Sequence, residues 1–236
     1  MKILALETST KRFGLAISDG KKVLTQRNIV LKKVLSSSII PAIDQMLKRL
    51  KITLKDIDGF AIGLGPGSFT SLRVGLATVK AFALTLEKPV VGISSLDVLA
   101  NNVKDKPVDQ VCVIVDARRN MVYASIYEKK GDCLDRSSEY MLTALDNVLD
   151  QVKGNTLFIG DGLSLYRENI VKAYREAAKK HKTSCKPLFT EEKFWYPRAG
   201  ELAKIANERF EAKDPDSIEK LVPLYLYPED CQVSRP

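Results

Sequence analysis

A glycine-rich turn between two apolar segments is the feature that most constrains this fold. Gly63, Gly65 and Gly67 alternate along the turn. A proline, Pro66, separates the last two. Glycine allows backbone angles and close approaches that a β-carbon forbids, while proline fixes its own φ and removes one donor. The apolar run before the turn and the long apolar segment after it therefore predict a strand, a shaped loop and a helix.

The turn has two interpretations. Ser68 or Thr70 can cap the following helix, whose first N–H groups then point out of the turn and could hold an anion. A Walker loop, however, ends in Gly-Lys-Ser/Thr, and this turn continues as Gly-Ser-Phe-Thr. The residues favour a tight turn that lets the helix pack closely on its strand. A nucleotide contact through Gly65, Gly67 and Ser68 stays open as the alternative.

The helix predicted after the turn is apolar on nearly every face. Leu72, Leu76 and Val79 lie on the stripe expected to pack on a sheet. The remaining faces carry small and apolar residues, with two cations, Arg73 and Lys80. Such a helix needs cover on more than one side, either from the chain's own second layer or from another subunit.

Composition excludes several classes of protein. The chain has 236 residues and is 45% hydrophobic, which suffices for one large or two modest domains. Four scattered cysteines and one histidine, His181 in a lysine-rich stretch expected to be a solvated helix end or loop, exclude Cys-x-x-Cys and two-histidine metal sites. No signal region or membrane-spanning apolar stretch is expected, which predicts a cytoplasmic protein. The net charge of +8 is spread along the chain and only weakly supports RNA binding.

The first hundred residues predict the order βββαβαβα. Strands are expected over Lys2 to Glu7, Phe13 to Asp19, Val23 to Val30, Asp58 to Gly63 and Pro89 to Ile93, and helices over Ser36 to Leu50, over Ser68 to Leu86 and from Ser94. An Asp-Gly pair marks the hairpin between the second and third strands.

After the polar segment 101–107 the same order begins again. Strands are expected over Gln110 to Asp116, Met121 to Tyr127, Gly131 to Glu139 and Thr156 to Ile159, helices over Thr143 to Val152, Leu163 to Lys179 and Arg198 to Phe210, and an extended tail over Val222 to Pro228. Two βββαβα halves predict a duplicated ribonuclease-H-like α/β fold. We expect lobes at 1–105 and 106–236, with the helix over 198–210 a candidate to pack back on the first lobe.

Two turns at corresponding points of the halves carry the candidate polar contacts. Thr8 and Ser9 follow the first strand. Their hydroxyls could contact phosphate or form hydrogen bonds within the turn itself, and the residue types favour the second role. Arg118 and Arg119 follow the first strand of the second half. They could bind a phosphate or carboxylate, or they could form ion pairs across an interface, and the residue types favour interface pairing. No nucleophile has an evident base, so we predict no catalytic residue and no metal ligand.

Several segments together resemble one family. ILALETST, GLGPGSFTSLRVGLATVKAFA, VGISSLDVLA, VDARRNMVYASIY and IGDG occur in this order through most of the chain and are similar to the TsaB (YeaZ) family, the bacterial partner of TsaD. GPGSFTxLRVG is the specific motif. The resemblance implies the fold of the actin-like ATPase and sugar-kinase superfamily. It also implies a role in making threonylcarbamoyladenosine beside the tRNA anticodon.

The resemblance further implies partners and the absence of catalysis. In that system TsaD carries a metal on a His-x-x-x-His motif and transfers the carbamoyl group, while TsaB is a non-catalytic scaffold. We therefore expect a heterodimer with a TsaD-like subunit, a weak homodimer, a TsaE-like ATPase, tRNA contact only through the complex and no membrane. No tightly bound cofactor is implied, and ATP or ADP with Mg²⁺ would belong to the complex interface. The alternative is a free-standing ATP-dependent phosphotransferase of the same superfamily, which needs two intact phosphate turns.

Family members pair through their first two helices in a four-helix bundle. Carried over to this chain, the resemblance implies a partner interface of Ile39, Ile43, Met46, Leu50, Val74, Thr78, Ala81, Phe82 and Thr85. Three residues depart from the family pattern: Glu7 replaces the common Asp, Ser71 replaces the usual Gly, and Leu35 stands where many members have His. The first weakens a nucleotide site on this subunit alone, and the other two could alter the loop or the interface.

Overall fold

A computed structural model describes residues 1–30, 35–131, 133–181 and 185–227. Within the part described, one unit comprises residues 1–102 with 196–224, and the other comprises 103–195 with 225–227. Residues 196–224 therefore lie with the first unit and not with the expected lobe 106–236. Of the residues named above, Pro228 lies outside the described residues, as does the side chain of His181.

Among the described residues, eleven strands form two sheets. They are β1 (Lys2–Glu7), β2 (Arg12–Asp19), β3 (Lys22–Val30), β4 (Gly59–Gly63), β5 (Val90–Ile93), β6 (Gln110–Asp116), β7 (Val122–Lys130), β8 (Cys133–Arg136), β9 (Met141–Thr143), β10 (Thr156–Ile159) and β11 (Leu188–Phe189). The five strands predicted in the first unit each begin within one residue of the observed start. The short strands β9 and β11 were not predicted, because three and two residues show no alternation of polarity.

Six α-helices accompany the sheets in the part of the chain that the structure describes. They are α1 (Leu35–Leu50), α2 (Phe69–Leu86), α3 (Ser95–Asn101), α4 (Leu145–Leu149), α5 (Leu163–His181) and α6 (Ala199–Glu211). Two 3₁₀ helices, Leu54–Asp56 and Glu192–Phe194, are too short for a periodic signal. The predicted helix over Thr143 to Val152 was too long, since its first residue pairs as part of β9 with β7.

The two sheets share one topology. The first has the order β3-β2-β1-β4-β5, and the second has the order β11-β10-β6-β7-β8 with β9 added beside β7. In each unit the first strand pairs antiparallel with the second and parallel with the fourth strand of the repeated pattern. This repetition confirms the duplicated ribonuclease-H-like fold.

The first unit has helices on both faces of its sheet. Along β1, Leu4 and Leu6 pack with α1 and α2, while Ile3 and Ala5 pack with residues of α6. Successive side chains of a strand point to opposite faces, so a strand covered on both faces is apolar throughout. This explains the unbroken apolar run at the start of the chain.

The segment that returns to the first unit is held by an arginine fork. Arg209 of α6 contacts both carboxylate oxygens of Asp216, at 3.0 and 3.2 Å. Asp216 also accepts the N–H of Gly92, at 2.7 Å, beside the outer strand β5. A bidentate arginine–carboxylate pair fixes direction as well as distance, so the return segment is anchored on this sheet edge.

Helix α2 is long and apolar enough to cross a membrane when judged by length and composition alone. The expectation that no segment approaches this length is therefore wrong. In the structure Leu72, Leu76, Val79 and Ala83 are buried on the inner face of the helix. Packing on the sheet thus explains one side of this helix, and the apolar character of its other side needs a separate explanation.

In the second unit α4 and α5 pack on one face of the sheet around Cys112, Ile114 and Phe158. Cys112 is fully buried, and burial raises the pKa of its thiol. Strands β6 and β10 run parallel, so Asp116 at the end of β6 lies beside the turn that follows β10. Ligands of α/β proteins tend to bind at such carboxyl ends.

Candidate functional site

Helix α2 carries a largely apolar surface on the side turned away from its sheet, and by helical spacing its two cations, Arg73 and Lys80, lie on that same side. We define the α2 outer face by six exposed residues, Phe69, Thr70, Ala77, Ala81, Leu84 and Thr85. Leu84 is 59% exposed and Phe69 is 53% exposed. The helix has two charged residues, and one of them, Arg73, places its guanidinium 3.8 Å from the ring centre of Phe69. The face therefore presents leucine, alanine and threonine side chains to solvent from Ala77 to Thr85.

A further exposed apolar residue lies on α1. Ile40 of α1 is 49% exposed. The exposed side of α1 also carries polar residues, among them Asp44 and Lys48, which form an ion pair at 2.8 Å. Helices α1 and α2 lie on the same side of the sheet. Clustered exposed apolar side chains on a soluble fold mark interaction sites more often than single ones do.

Three of the residues assigned to the partner interface lie elsewhere. Ile39, Ile43 and Met46 are each 2% exposed and pack in the core of their own unit. Their helical spacing reflects the face of α1 that meets the sheet, and a side chain buried there has no surface to offer a partner. We therefore assign these three residues to the core.

The other assigned residues divide between the surface and the core edge. Ala81 and Thr85 are exposed on the α2 outer face. Leu50, Val74 and Phe82 are half-buried and pack against the core. The Phe82 ring lies 5.9 Å from the ring of Phe60, centre to centre. Thr78 is also half-buried, and its hydroxyl donates to the carbonyl of Val74 at 2.8 Å.

Leu84, Phe69 and Ile40 are exposed apolar residues that the predicted partner interface left out. The predicted sheet-facing stripe of Leu72, Leu76 and Val79 is confirmed, since all three are buried. The pattern did not show which of the remaining apolar residues are the most exposed. The signal available was position, since Leu84 lies opposite Leu72 and Val79 on a helical projection.

The glycine turn is joined to the start of the chain by a buried hydrogen-bond network. The N–H of Ser9 donates to Glu7 Oε1 at 2.8 Å, and the hydroxyl of Ser95 donates to Glu7 Oε2 at 2.9 Å. The N–H of Gly65 donates to the same Ser95 hydroxyl at 3.2 Å. Because Glu7 is fully buried, both its carboxylate oxygens serve this network and neither faces solvent.

Close backbone contacts complete this connection. A β-carbon on Gly67 would lie 2.1 Å from the carbonyl oxygen of Ser9, and one on Gly75 would lie 2.4 Å from the hydroxyl of Thr8. The N–H of Ser68, directly before α2, donates to the carbonyl of Ser9 at 2.8 Å. Ser68 is the N-cap residue of α2, but its hydroxyl contacts Ser71 and does not cap the helix.

These contacts close the first predicted phosphate turn. Thr8 is 1% exposed and Ser9 is 3% exposed. Among the described residues neither hydroxyl has a hydrogen-bond partner. Thr8 lies against Gly75 of α2, and Ser9 lies against Gly67 of the glycine turn. Gly65, at φ +92°, is buried as well. The residues of this turn therefore do not fit a nucleotide phosphate, and the packing interpretation of the glycines accounts for them.

Burial raises the pKa of Glu7, and the donors of Ser9 and Ser95 only partly oppose that rise. In the unfolded chain Glu7 loses its proton near its usual pKa, about 4.3. Between that pH and the raised native pKa the native state holds more protons, so stability falls as pH rises through this window. We expect Glu7→Gln to remove this fall.

The measurement is urea unfolding of both chains from pH 4 to 8, with the free energy of the variant subtracted from that of the wild type. The difference should decline with rising pH by up to about 1.4 kcal/mol per pH unit and then level off. Parallel profiles would show that Glu7 does not carry a raised pKa.

The second predicted turn is open, in contrast to the first. Arg118, Arg119 and Asn120 are exposed, and all three have positive φ, at 67°, 52° and 58°. The N–H of Arg118 donates to Asp116 Oδ1 at 2.9 Å. The N–H of Asp116 in turn donates to Asp161 Oδ1 at 3.2 Å. The structure thus brings the arginine pair and two carboxylates together at the carboxyl ends of β6 and β10.

Within the described residues no group of three or more metal-ligating side chains comes together. The whole sequence contains one histidine. A two-histidine metal motif therefore cannot be formed by one copy of this chain.

The sequence is similar to a known family model and to several named proteins. Residues 30–233 match a family model described as TsaD, tRNA N6-adenosine threonylcarbamoyltransferase. The tRNA threonylcarbamoyladenosine biosynthesis protein TsaB of Bacillus subtilis (strain 168) is 30% identical over 234 residues, which cover 96% of this chain and 94% of that protein. The protein of the same name from Escherichia coli (strain K12) is 26% identical over 167 residues, 69% of this chain and 72% of that protein.

Solved structures show the same fold. YeaZ from Pseudomonas aeruginosa superposes with a TM-score of 0.79 at 22% identity, covering 95% of this chain and 99% of that one. A ROK family protein from Streptococcus pneumoniae TIGR4 superposes with a TM-score of 0.50 at 10% identity, covering 90% of this chain and 99% of that one. The chain therefore shares the fold of these two solved structures.

Proposed function

Because this chain belongs to the TsaB (YeaZ) family of tRNA threonylcarbamoyladenosine biosynthesis proteins, we propose that it is an adaptor that binds and activates a TsaD-type carbamoyltransferase. The observation that carries the proposal is the α2 outer face, where Ala77, Ala81 and Leu84 are exposed on one side of a helix that packs on the sheet with its other side. A partner helix could approach Ala77 and Ala81 closely, because their side chains are small.

The chemistry of the chain supports an accessory role. A single histidine cannot supply a His-x-x-x-His metal motif. Glu7 occupies the position where a phosphotransferase of the actin-like ATPase and sugar-kinase superfamily would carry its first acidic residue. Its carboxylate is buried and accepts hydrogen bonds from Ser9 and Ser95. The metal and the transfer chemistry therefore belong, in this proposal, to the TsaD-type subunit.

The remaining partners follow from the same proposal. The α2 outer face also mediates a weak homodimer, which must separate before the TsaD-type subunit binds. A TsaE-like ATPase joins the complex in the cytoplasm, and tRNA is contacted only through the assembly. ATP or ADP with Mg²⁺ would bind at the interface of the complex, since the first turn of this chain is closed.

Reconstitution tests this function. The TsaD-type and TsaE-like proteins from the same source are incubated with tRNA, ATP and the threonylcarbamoyl donor, with and without this chain. We expect modified nucleoside to form at least about tenfold faster with the chain, measured by mass spectrometry of digested tRNA. Equal rates would contradict the adaptor role. ATP turnover by the isolated chain would favour the phosphotransferase instead.

A further inference from the structure

The turn from Asp116 to Asn120, which we name the arginine turn, has residues that its backbone disfavours. Three successive non-glycine residues adopt positive φ. Tight hairpin turns with this geometry prefer Asn-Gly, because asparagine and especially glycine tolerate the left-handed region. Arg118 and Arg119 are poor choices for forming the turn. Residues that break a local rule in this way are expected at functional sites.

The surrounding structure holds the arginine turn in place. The hydroxyl of Tyr227 donates to the carbonyl of Ala117 at 2.8 Å, and the N–H of Ala117 donates to the carbonyl of Met121 at 3.0 Å. The ring of Tyr227 packs edge-on against Tyr123, 6.1 Å between ring centres. Together with the Asp116 and Asp161 contacts, these bonds fix the backbone from three directions. The arginines are thus exposed side chains on a rigid base.

The charges around the turn indicate which anion suits it. Arg118 and Arg119 contribute two positive charges, and Asp116 and Asp161 contribute two negative ones, so the local sum is zero. A phosphate with two negative charges would face both aspartates. A single carboxylate meets less repulsion and matches the planar fork of arginine in two-point contact.

We propose that the arginine turn docks an acidic side chain of the TsaD-type subunit, with Arg118 and Arg119 as the donors. Arg118 is 77% exposed, and its Nε lies 3.9 Å from Asp116, a separation too long for a strong ion pair. The guanidinium can therefore turn to a partner carboxylate at little cost. This inference rests on the proposed function, because the TsaD-type partner is the one named there.

The test uses two double variants of the full chain and calorimetric titration with the TsaD-type subunit. Arg118→Asn with Arg119→Gly supplies the residues that the backbone prefers, so we expect the melting temperature to rise by ~2–5 °C and the partner affinity to fall at least about tenfold. Arg118→Lys with Arg119→Lys keeps the charge but loses the fork, and we expect a similar loss of affinity. Arg175→Lys, at an exposed position on α5, is the matched control and should bind normally.

Each result decides between alternatives. Unchanged affinity in both double variants would overturn the docking role, even if the melting temperature rises. Saturable shifts of the Arg118 and Arg119 amide signals in titration with millimolar inorganic phosphate would also overturn it, in favour of a phosphate site. Failure of the wild-type chain to bind the TsaD-type subunit would instead refute the proposed function, so the two failures are distinguishable.

Discussion

Replacing Leu84 with aspartate should abolish binding of the TsaD-type subunit and leave the fold intact. In the proposed complex the Leu84 side chain, 59% exposed in the isolated chain, becomes buried against a partner helix. The variant would place an unpaired carboxylate in that apolar interface, and central apolar contacts typically contribute about 2–4 kcal/mol. We therefore expect the affinity to fall by about 100-fold or more, as measured by calorimetric titration.

The chain offers a matched control for this variant. Leu188 on β11 is 43% exposed and belongs to the other unit. It pairs with Leu157 at the end of β10 opposite to the arginine turn, so Leu188→Asp introduces the same charge away from both proposed contact surfaces and should bind normally. Both variants should stay folded, because exposed substitutions usually change stability by less than about 1 kcal/mol. Equal loss of binding in both variants, or in neither, would contradict the assignment of the interface to the α2 outer face.

Replacing Gly67 with alanine should destabilise the first unit strongly. The new β-carbon would lie 2.1 Å from the carbonyl oxygen of Ser9, which is backbone and is already bonded to the N–H of Ser68. Neither group can move without separating the glycine turn from the start of the chain. We expect a loss of about 3 kcal/mol and a melting temperature lower by roughly 6–12 °C.

The control for Gly67 is another glycine of the same unit. Gly20, in the hairpin between β2 and β3, has φ +54° and would place a β-carbon with nothing within 4 Å. Gly20→Ala therefore tests backbone strain without a clash, and we expect a loss of only about 1 kcal/mol. The comparison is made by thermal unfolding followed by circular dichroism. A Gly67→Ala chain as stable as Gly20→Ala would show that the close contact is not required.

The elements that the sequence predicted well are those with a strong local signal. The strands of the first unit are apolar runs bounded by turn residues, and the prediction of β1 as Lys2 to Glu7 is confirmed. The start of α3 is confirmed too, since Ser94 accepts the N–H of Leu96 as a cap. The duplicated topology follows from element order alone, which survives errors of a few residues in any boundary.

The candidate site was harder to predict, for three physical reasons. The bond between Glu7 and Ser95 joins residues 88 positions apart, and no local pattern announces it. Ile43 lies on the one apolar stripe of α1, which packs on the sheet, and the family resemblance assigned that stripe to a partner instead. The positive φ of Arg118 contradicts its residue type, so propensity pointed away from the observed backbone.

The central claim is tested most directly by size-exclusion chromatography with light scattering on the wild-type chain, alone and mixed with the TsaD-type subunit of the same source. The mass of this chain is 26.3 kDa. We predict a one-to-one complex whose mass is the sum of the two subunits, formed at the expense of a weak, concentration-dependent homodimer. Two separate peaks at micromolar concentrations of both proteins would contradict the adaptor role.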